Sequence, residues 1–323
     1  MQPPGSSLPP PPLPPLEDSR LEPLAASDIV GRAVGLWWRN LWPISGVIGI
    51  AAVPVEVIST LAFVRAGAAL PWDIFSTPGA EPSPQEMQRF LEALVREVPL
   101  MAIGFLVGIL GFFVLQAVAI PLAADLHFGR PVTIGRAYRQ VFNRVWPLIG
   151  AYLLQFLIVL GAIAAIVAVF VVAAIGGGAG SALLVLAGVL GIFAAIGYGV
   201  YAAVRVSFFS QYILLEGQGP WGALKASWRL VGGTWWRVVG VFILLAIVNF
   251  VLNLPILIIS GMFTDMAPSE GPTPFTFNGP VMVVTGVLGA IVSAMATIGA
   301  VVLFYDVRVR KGEVFTVAPE AHP

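Results

Sequence analysis

Hydrophobic positions in this chain neither alternate with a period of two nor mark a single helical face; they run on in long unbroken blocks. Six blocks stand out, approximately 42–66, 99–123, 148–175, 182–206, 238–261 and 280–305. About 20 mostly apolar residues carry an α-helix across roughly 30 Å of hydrocarbon, so each block is long enough to span a bilayer. Membrane β-barrels are excluded, because their strands need apolar/polar alternation. The pattern predicts an all-α polytopic membrane protein with six transmembrane helices.

The positions between the blocks carry a second pattern. IVGRAVGLWWRNLWPISG (29–46) aligns without gaps on TIGRAYRQVFNRVWPLIG (133–150). The alignment pairs Gly31 with Gly135, Arg32 with Arg136, Ala33 with Ala137, Trp42 with Trp146, Pro43 with Pro147 and Gly46 with Gly150. A weaker copy, ALKASWRLVGGTWWRVVG (223–240), puts Trp236 and Gly240 in register and Arg229 opposite Arg139. Each copy precedes a pair of spans, which predicts three repeats of an amphipathic elbow helix plus a transmembrane hairpin. In the second elbow Ile134, Ala137, Tyr138, Val141, Phe142 and Val145 share one face, and Arg136, Arg139, Gln140 and Asn143 the other. Such a helix lies flat in a headgroup layer. Trp42, Trp146 and Trp236 then serve as interface anchors, each burying its ring while keeping its N–H wet.

Two polar stretches add detail. Ser83-Pro84-Gln85-Glu86 has the form of a capping box with proline at the first helical position, and Met87, Phe90, Leu91, Leu94 and Val95 follow at helical spacing. A short helix that lies on the outer membrane surface or covers the mouth between helices is expected there. The first 26 residues hold nine prolines and lack the basic-then-apolar order of a signal peptide. They predict a disordered polyproline II tail rather than a leader. The membrane domain then occupies 27–313, with a short tail over 314–323.

Composition strengthens the membrane class. The chain is 58% hydrophobic and 11% charged with a mean hydropathy of +0.91, whereas soluble domains carry about 25% charged residues. Seventeen basic residues balance seventeen acidic ones, giving no pull toward nucleic acid, and the absence of cysteine excludes disulfides and thiolate metal sites. Taken by segment, the neutrality disappears. Arg65, Arg89 and Arg96 fall on one side of the predicted spans and the other fourteen Lys and Arg on the opposite side. The positive-inside rule therefore predicts that both termini are cytoplasmic. Asp73, Glu81, Glu86, Glu92, Glu97, Asp265 and Glu270 fall outside, and GGGAGS (176–181) is short enough only for a hairpin. Fifteen Arg against two Lys points to a high-GC bacterium, and hence to a bacterial plasma membrane.

Polar groups at mid-span depth are the candidates for chemistry, since an ionisable residue there costs about 2.5–3.5 kcal/mol on insertion scales. Glu56, two residues after Pro54, is the clear case. It reads as an ion, proton or substrate contact, or as an internally hydrogen-bonded packing residue. Gln116, Gln155, Asn249 and Asn253 add polar positions, the two asparagines on one face at i, i+4. Interhelical hydrogen bonds worth under about 2 kcal/mol each also account for them. No GxSxG, phosphate-binding glycine loop or ligand-spaced histidine occurs; His127 and His322 stand alone. No cofactor, metal or catalytic constellation is expected.

Two stretches at the predicted cytoplasmic face go beyond anchoring. ILLEGQGPWGALKASWRLVGGTWW (213–236) joins an acidic turn to a basic, Trp-rich elbow, and VVLFYDVRVRKGE (301–313) ends the last span in a Tyr-Asp-x-Arg-x-Arg run. Together they resemble signatures of the glycerophosphoryl diester phosphodiesterase membrane domain family of bacterial membrane proteins. The likeness runs over Asp28 to Glu313, with Lys311-Gly312-Glu313 departing from the family's acidic-then-glycine ending. The resemblance implies a six-helix, three-repeat-like module that accompanies a soluble phosphodiesterase domain in some proteins and has no established activity of its own. That catalytic domain has no counterpart in these residues, so its activity is not carried over. Independently, opposite charges at similar depth predict that Glu216 meets Arg308 or Arg310, or that Asp306 meets an elbow arginine such as Arg229. Arg136, Arg139 and the other juxtamembrane arginines are alternatively candidates for anionic lipid headgroups at about 1 kcal/mol each. The expected partners are membrane lipids, or another membrane or cytoplasmic protein. The leading expectation is a non-enzymatic module that organises them at the cytoplasmic face, the alternative a transporter or channel of small solutes, lipids or ions using Glu56.

Overall fold

The computed structural model describes residues 23–75, 82–176, 179–265 and 278–313, and among them every regular element is helical. The proline-rich opening, part of the glycine turn (177–178), Glu81, the Asp265 side chain, Glu270 and the tail from 314 lie outside the described residues or side chains. The elements are α1 (Ala26–Arg39), α2 (Leu41–Ala68), α3 (Pro84–His127), α4 (Ile134–Asn143) and α5 (Val145–Gly176), then α6 (Ala179–Arg205), α7 (Phe209–Glu216), α8 (Pro220–Val231), α9 (Trp235–Asp265) and α10 (Gly279–Arg310).

Five segments are long and apolar enough to cross a membrane: α2, α3, Val185–Glu216, Trp235–Met262 and α10. Counting α4 with the start of α5, two pieces bent by 57°, makes up to six. Short helices precede α2, α5 and α9, each separated from its long partner by a break at Asn40, Arg144 or residues 232–234. The short helices α1, α4, α7 and α8 gather at one end of the molecule, called here the elbow end.

α10 forms the axis, packing against α2, α3 and α9 along its length and against α1 at the elbow end. From Val292 to Arg308 it is buried on nearly every side. Small residues permit this closeness, since van der Waals contact between helices needs backbones to approach when lipid is as apolar as leucine. Gly104 and Gly111 on α3 face Ala62 and Val55 of α2, and Gly299 on α10 faces Leu245 of α9. The α5–α6 pair is held differently. Its contacts run to α7, α8 and α4, with a few to α9, leaving Phe156, Leu157, Leu186 and Phe193 exposed on its flanks.

Two sequence expectations change here, and one helix is added. The capping box forms as read, Ser83 Oγ accepting from the Glu86 N–H at 3.3 Å and the Glu86 carboxylate from the Ser83 N–H at 2.8 Å. The helix it opens is not a separate surface piece, however: α3 continues through Pro99 for 44 residues. Proline frees one carbonyl in the preceding turn, and apolar side chains on both sides keep the helix going. Secondly, Leu24, assigned to the disordered tail, is ordered and hydrogen-bonded to Asp306. The added helix is α7, ended by Gly217 in the left-handed conformation at φ +71°, which glycine adopts without a Cβ penalty.

Candidate functional site

Two of the expected charge contacts form at the elbow end, one as read and one with a different elbow arginine. Asp306, with no side-chain exposure, accepts from the Leu24 N–H at 2.8 Å, from Arg237 at 2.9 and 3.1 Å and from Arg310 Nε at 3.1 Å. Arg237 and Arg310 also donate to the Leu24 carbonyl. The elbow arginine that meets Asp306 is thus Arg237 and not Arg229, because Arg237 begins α9 beside α10 whereas Arg229 lies in the last turn of α8. Arg308 pairs with Glu216, as expected, and with Glu313 at 3.0 Å, and its guanidinium lies 5.3 Å from the Phe304 ring centroid. Lys311 Nζ donates to the Arg229 and Gly232 carbonyls at 2.6 and 2.9 Å, closing the end of α8. Burial holds the Lys311 ammonium below the ordinary lysine range, with Glu313 opposing the shift and Arg205 adding to it. This network joins residue 24 to the last helix and gives each of its three carboxylates an arginine partner.

A second group of basic residues is differently placed. Arg136, Arg139, Gln140, Asn143 and Arg144 of the second elbow line a cleft of about 850 Å³ against Leu214–Gly217. Gln140 donates to the Leu214 carbonyl at 2.6 Å and Arg144 to the Gly217 carbonyl at 3.0 Å, which locks the elbow to the end of α7. Arg136 stands 3.6 Å from Asp125, its side chain 41% exposed, and Arg139 is exposed. The one acidic residue in the lining, Glu216, is engaged by Arg308. The cleft is therefore a cationic concavity, with Asp125 beside Arg136 and no unengaged carboxylate in its lining. The apolar face of this elbow is only partly outward: Ala137 and Val141 are buried, while Ile134 and Phe142 are exposed.

The long helices enclose two adjoining cavities. The larger, about 770 Å³, lies between α3, α5, α7, α9 and α10, and its polar lining includes Gln116, Tyr152, Gln211, Asn249, Asn253 and Thr297. The smaller, about 150 Å³, lies between α2, α3 and α10 and contains Glu56. Gln116, Ser293 and Thr297 border both, and the Thr297 hydroxyl donates to Gln116 Oε1 at 2.5 Å across the partition. Glu56 reaches its place because its carboxyl group lies directly over Gly286, where a Cβ would collide with it. Asn249 donates to the Val292 carbonyl and Asn253 to Asn249, tying α9 to α10.

Four of the five predicted mid-span polar residues thus border one cavity system, and Gln155 on α5 is not in either lining. Trp42, Trp146 and Trp236 are 87%, 78% and 80% exposed at the breaks between elbow and long helix. Asp125, Arg144, Gln211, Ser293 and Thr297 were not singled out by pattern. Gln211 and Asp125 carried a readable signal, a polar residue in an apolar run, but hydroxyl residues within spans are too common to stand out. His127 is buried with its ring stacked parallel to Tyr305, centroids 5.4 Å apart. No cluster of metal-binding side chains occurs among the described residues.

Residues 83–309 match a family described as a domain of unknown function, DUF7847. No curated protein and no solved structure matches the chain, and no comparison links it to the glycerophosphoryl diester phosphodiesterase membrane domain family.

Proposed function

The chain belongs to the DUF7847 family, whose function is unknown, and from that premise we propose that it is a non-catalytic membrane module that gathers anionic lipids at its elbow end. The observation that carries this reading is the cationic cleft of Arg136, Arg139 and Arg144, backed by neutral hydrogen-bonding groups and free of an unengaged carboxylate. Phosphate oxygens match arginine forks, each arginine near an anionic surface contributing about 1 kcal/mol. In this reading the molecule crosses a bacterial plasma membrane six times as three elbow-and-hairpin repeats. Its elbow end and both termini are cytoplasmic, in agreement with the basic bias of the sequence. The repeat reading is supported by the helix breaks at Asn40, Arg144 and Thr234, which fall in register when the three elbow sequences are aligned.

The test is lipid retention. Full-length protein reconstituted with equal phosphatidylcholine and phosphatidylglycerol, then extracted and analysed by mass spectrometry, retains the anionic lipid preferentially. Arg139→Gln lowers that preference about fivefold, equivalent to about 1 kcal/mol, and Arg136→Gln lowers it further. Equal retention by wild type and double variant overturns the proposal.

A second reading, passage of a small solute or ion, draws on Glu56 in its cavity beside Gln116 and Thr297. Proteoliposome flux that Glu56→Gln abolishes is its expected outcome, and flux indifferent to that change removes it.

A further inference from the structure

The larger cavity has three properties that together restrict its occupant. No charged side chain lines it; its polar surface is made of carboxamides and hydroxyls. Several of those groups lie deep: Asn249 is fourteen residues into α9 and Thr297 thirteen residues from the end of α10, about 20 Å from the elbow end at 1.5 Å per residue. The third property is its opening. Its α9 wall includes Ala246 and Phe250, the latter 61% exposed, and the α5–α6 pair makes few contacts with α9. The exposed Phe250 in its lining marks a sideways opening along α9, and its elbow end is walled by Ser207, Ser210 and Gln211.

Polar groups facing hydrocarbon without partners are costly. Gln211 is 3% exposed yet borders the cleft, and its amide uses one end on the Ser210 hydroxyl at 3.0 Å. Ser207 Oγ is buried and has no hydrogen-bond partner among the described residues. A cleft that is wet in chemistry, dry in surroundings and entered from the side suits an amphiphile whose headgroup both donates and accepts hydrogen bonds and carries no charge.

We propose that this cleft binds a membrane lipid with an uncharged, hydroxyl-bearing headgroup, of which diacylglycerol is the simplest. The headgroup sits against Gln211, Asn249, Asn253 and Thr297, and an acyl chain lies along Phe242, Leu245 and Phe250. An anionic phospholipid finds no cation here, so the cleft and the arginine elbow select different lipids. The inference shares with the proposed function only that the long helices lie in a bilayer.

The experiment uses the full chain in phosphatidylcholine vesicles carrying a small fraction of diacylglycerol with a diazirine in one acyl chain. Photolabelling falls on α9 between residues 242 and 253 and drops at least tenfold in Asn249→Leu/Asn253→Leu. Ala246→Trp, which fills the cleft from its exposed edge without removing a buried polar group, gives the same loss and serves where the double variant fails to fold. Labelling that persists in Ala246→Trp overturns the proposal. So does equal competition by glycerol in the aqueous phase, which would mark a site for soluble polyols. Arg139→Gln leaves this labelling unchanged while reducing phosphatidylglycerol retention, so the two lipid sites fail or stand separately.

Discussion

Asp306 illustrates how a single carboxylate can be affordable in an apolar helix. It is fully enclosed, but five donor contacts from Leu24, Arg237 and Arg310 satisfy it. Removing one member of a buried ion pair costs about 3–5 kcal/mol, because the surviving charge is left without a partner. Asp306→Ala is therefore expected to lower the thermal unfolding midpoint in detergent sharply, and an unchanged midpoint would mean that Arg237 and Arg310 find other acceptors. Glu216 and Arg308 are suited to a double-mutant cycle instead. Arg308 retains Glu313 and the Phe304 ring when Glu216 is lost, so Glu216→Gln alone is mild. The cycle with Arg308→Gln should show a coupling of about 0.5–3 kcal/mol. Additive effects would show that the pair contributes nothing as a pair. The charge signs and depths of these residues were legible in the sequence; the choice of Arg237 over Arg229 was not, because it depends on which helix starts beside α10.

Among the helices, rigidity decides what a glycine position tolerates. Gly111 on α3 faces Val55, and Gly286 on α10 faces the carboxyl end of Glu56. Valine is β-branched and stiff at χ1, so a new methyl group cannot be relieved by rotation. Gly111→Ala is expected to destabilise by about 1–3 kcal/mol, as overpacking does, and Val55→Ala should restore most of the loss. Gly286→Ala should be milder, since the far end of a glutamate can swing away, but it displaces Glu56 from its cavity. Equal midpoints for Gly111→Ala and wild type would indicate that α2 and α3 pack less closely than described. Helix existence was readable from the apolar blocks, and so was the start of α3 from its capping box. The fusion of the Ser83 helix with the following span was not, since proline ends a soluble helix more often than one flanked by continuous apolar sequence.

For the whole molecule, the sequence pattern implies sides, and the absence of cysteine makes them easy to test. Arg96→Cys, in the stretch preceding the second apolar block, is expected to react with a membrane-impermeant maleimide added to intact cells. Arg139→Cys, on the second elbow, should react only after permeabilisation, and the reverse result would invert the topology. What the sequence could not convey is which polar faces converge, since Glu56, Gln116 and Asn253 lie on three different helices and share a cavity system through Gln116 itself and through Ser293 and Thr297 of α10. The clasp at Asp306 also has a consequence in time. Trp37 Nε1 donates to the Ile291 carbonyl, 254 residues away, at 2.9 Å, and Leu24 waits for Asp306 farther on still. At a synthesis rate of about 5–20 residues per second, the first helix exists for on the order of ten to fifty seconds before its seat is made. Its buried stripe of Ile29, Ala33 and Trp37 must meanwhile rest elsewhere, and in the proposed bilayer the boundary between headgroups and acyl chains is the nearest apolar surface. Docking of α1 is thus a signature of finished synthesis: a nascent chain cut short before α10 leaves its own beginning loose and open to proteolysis.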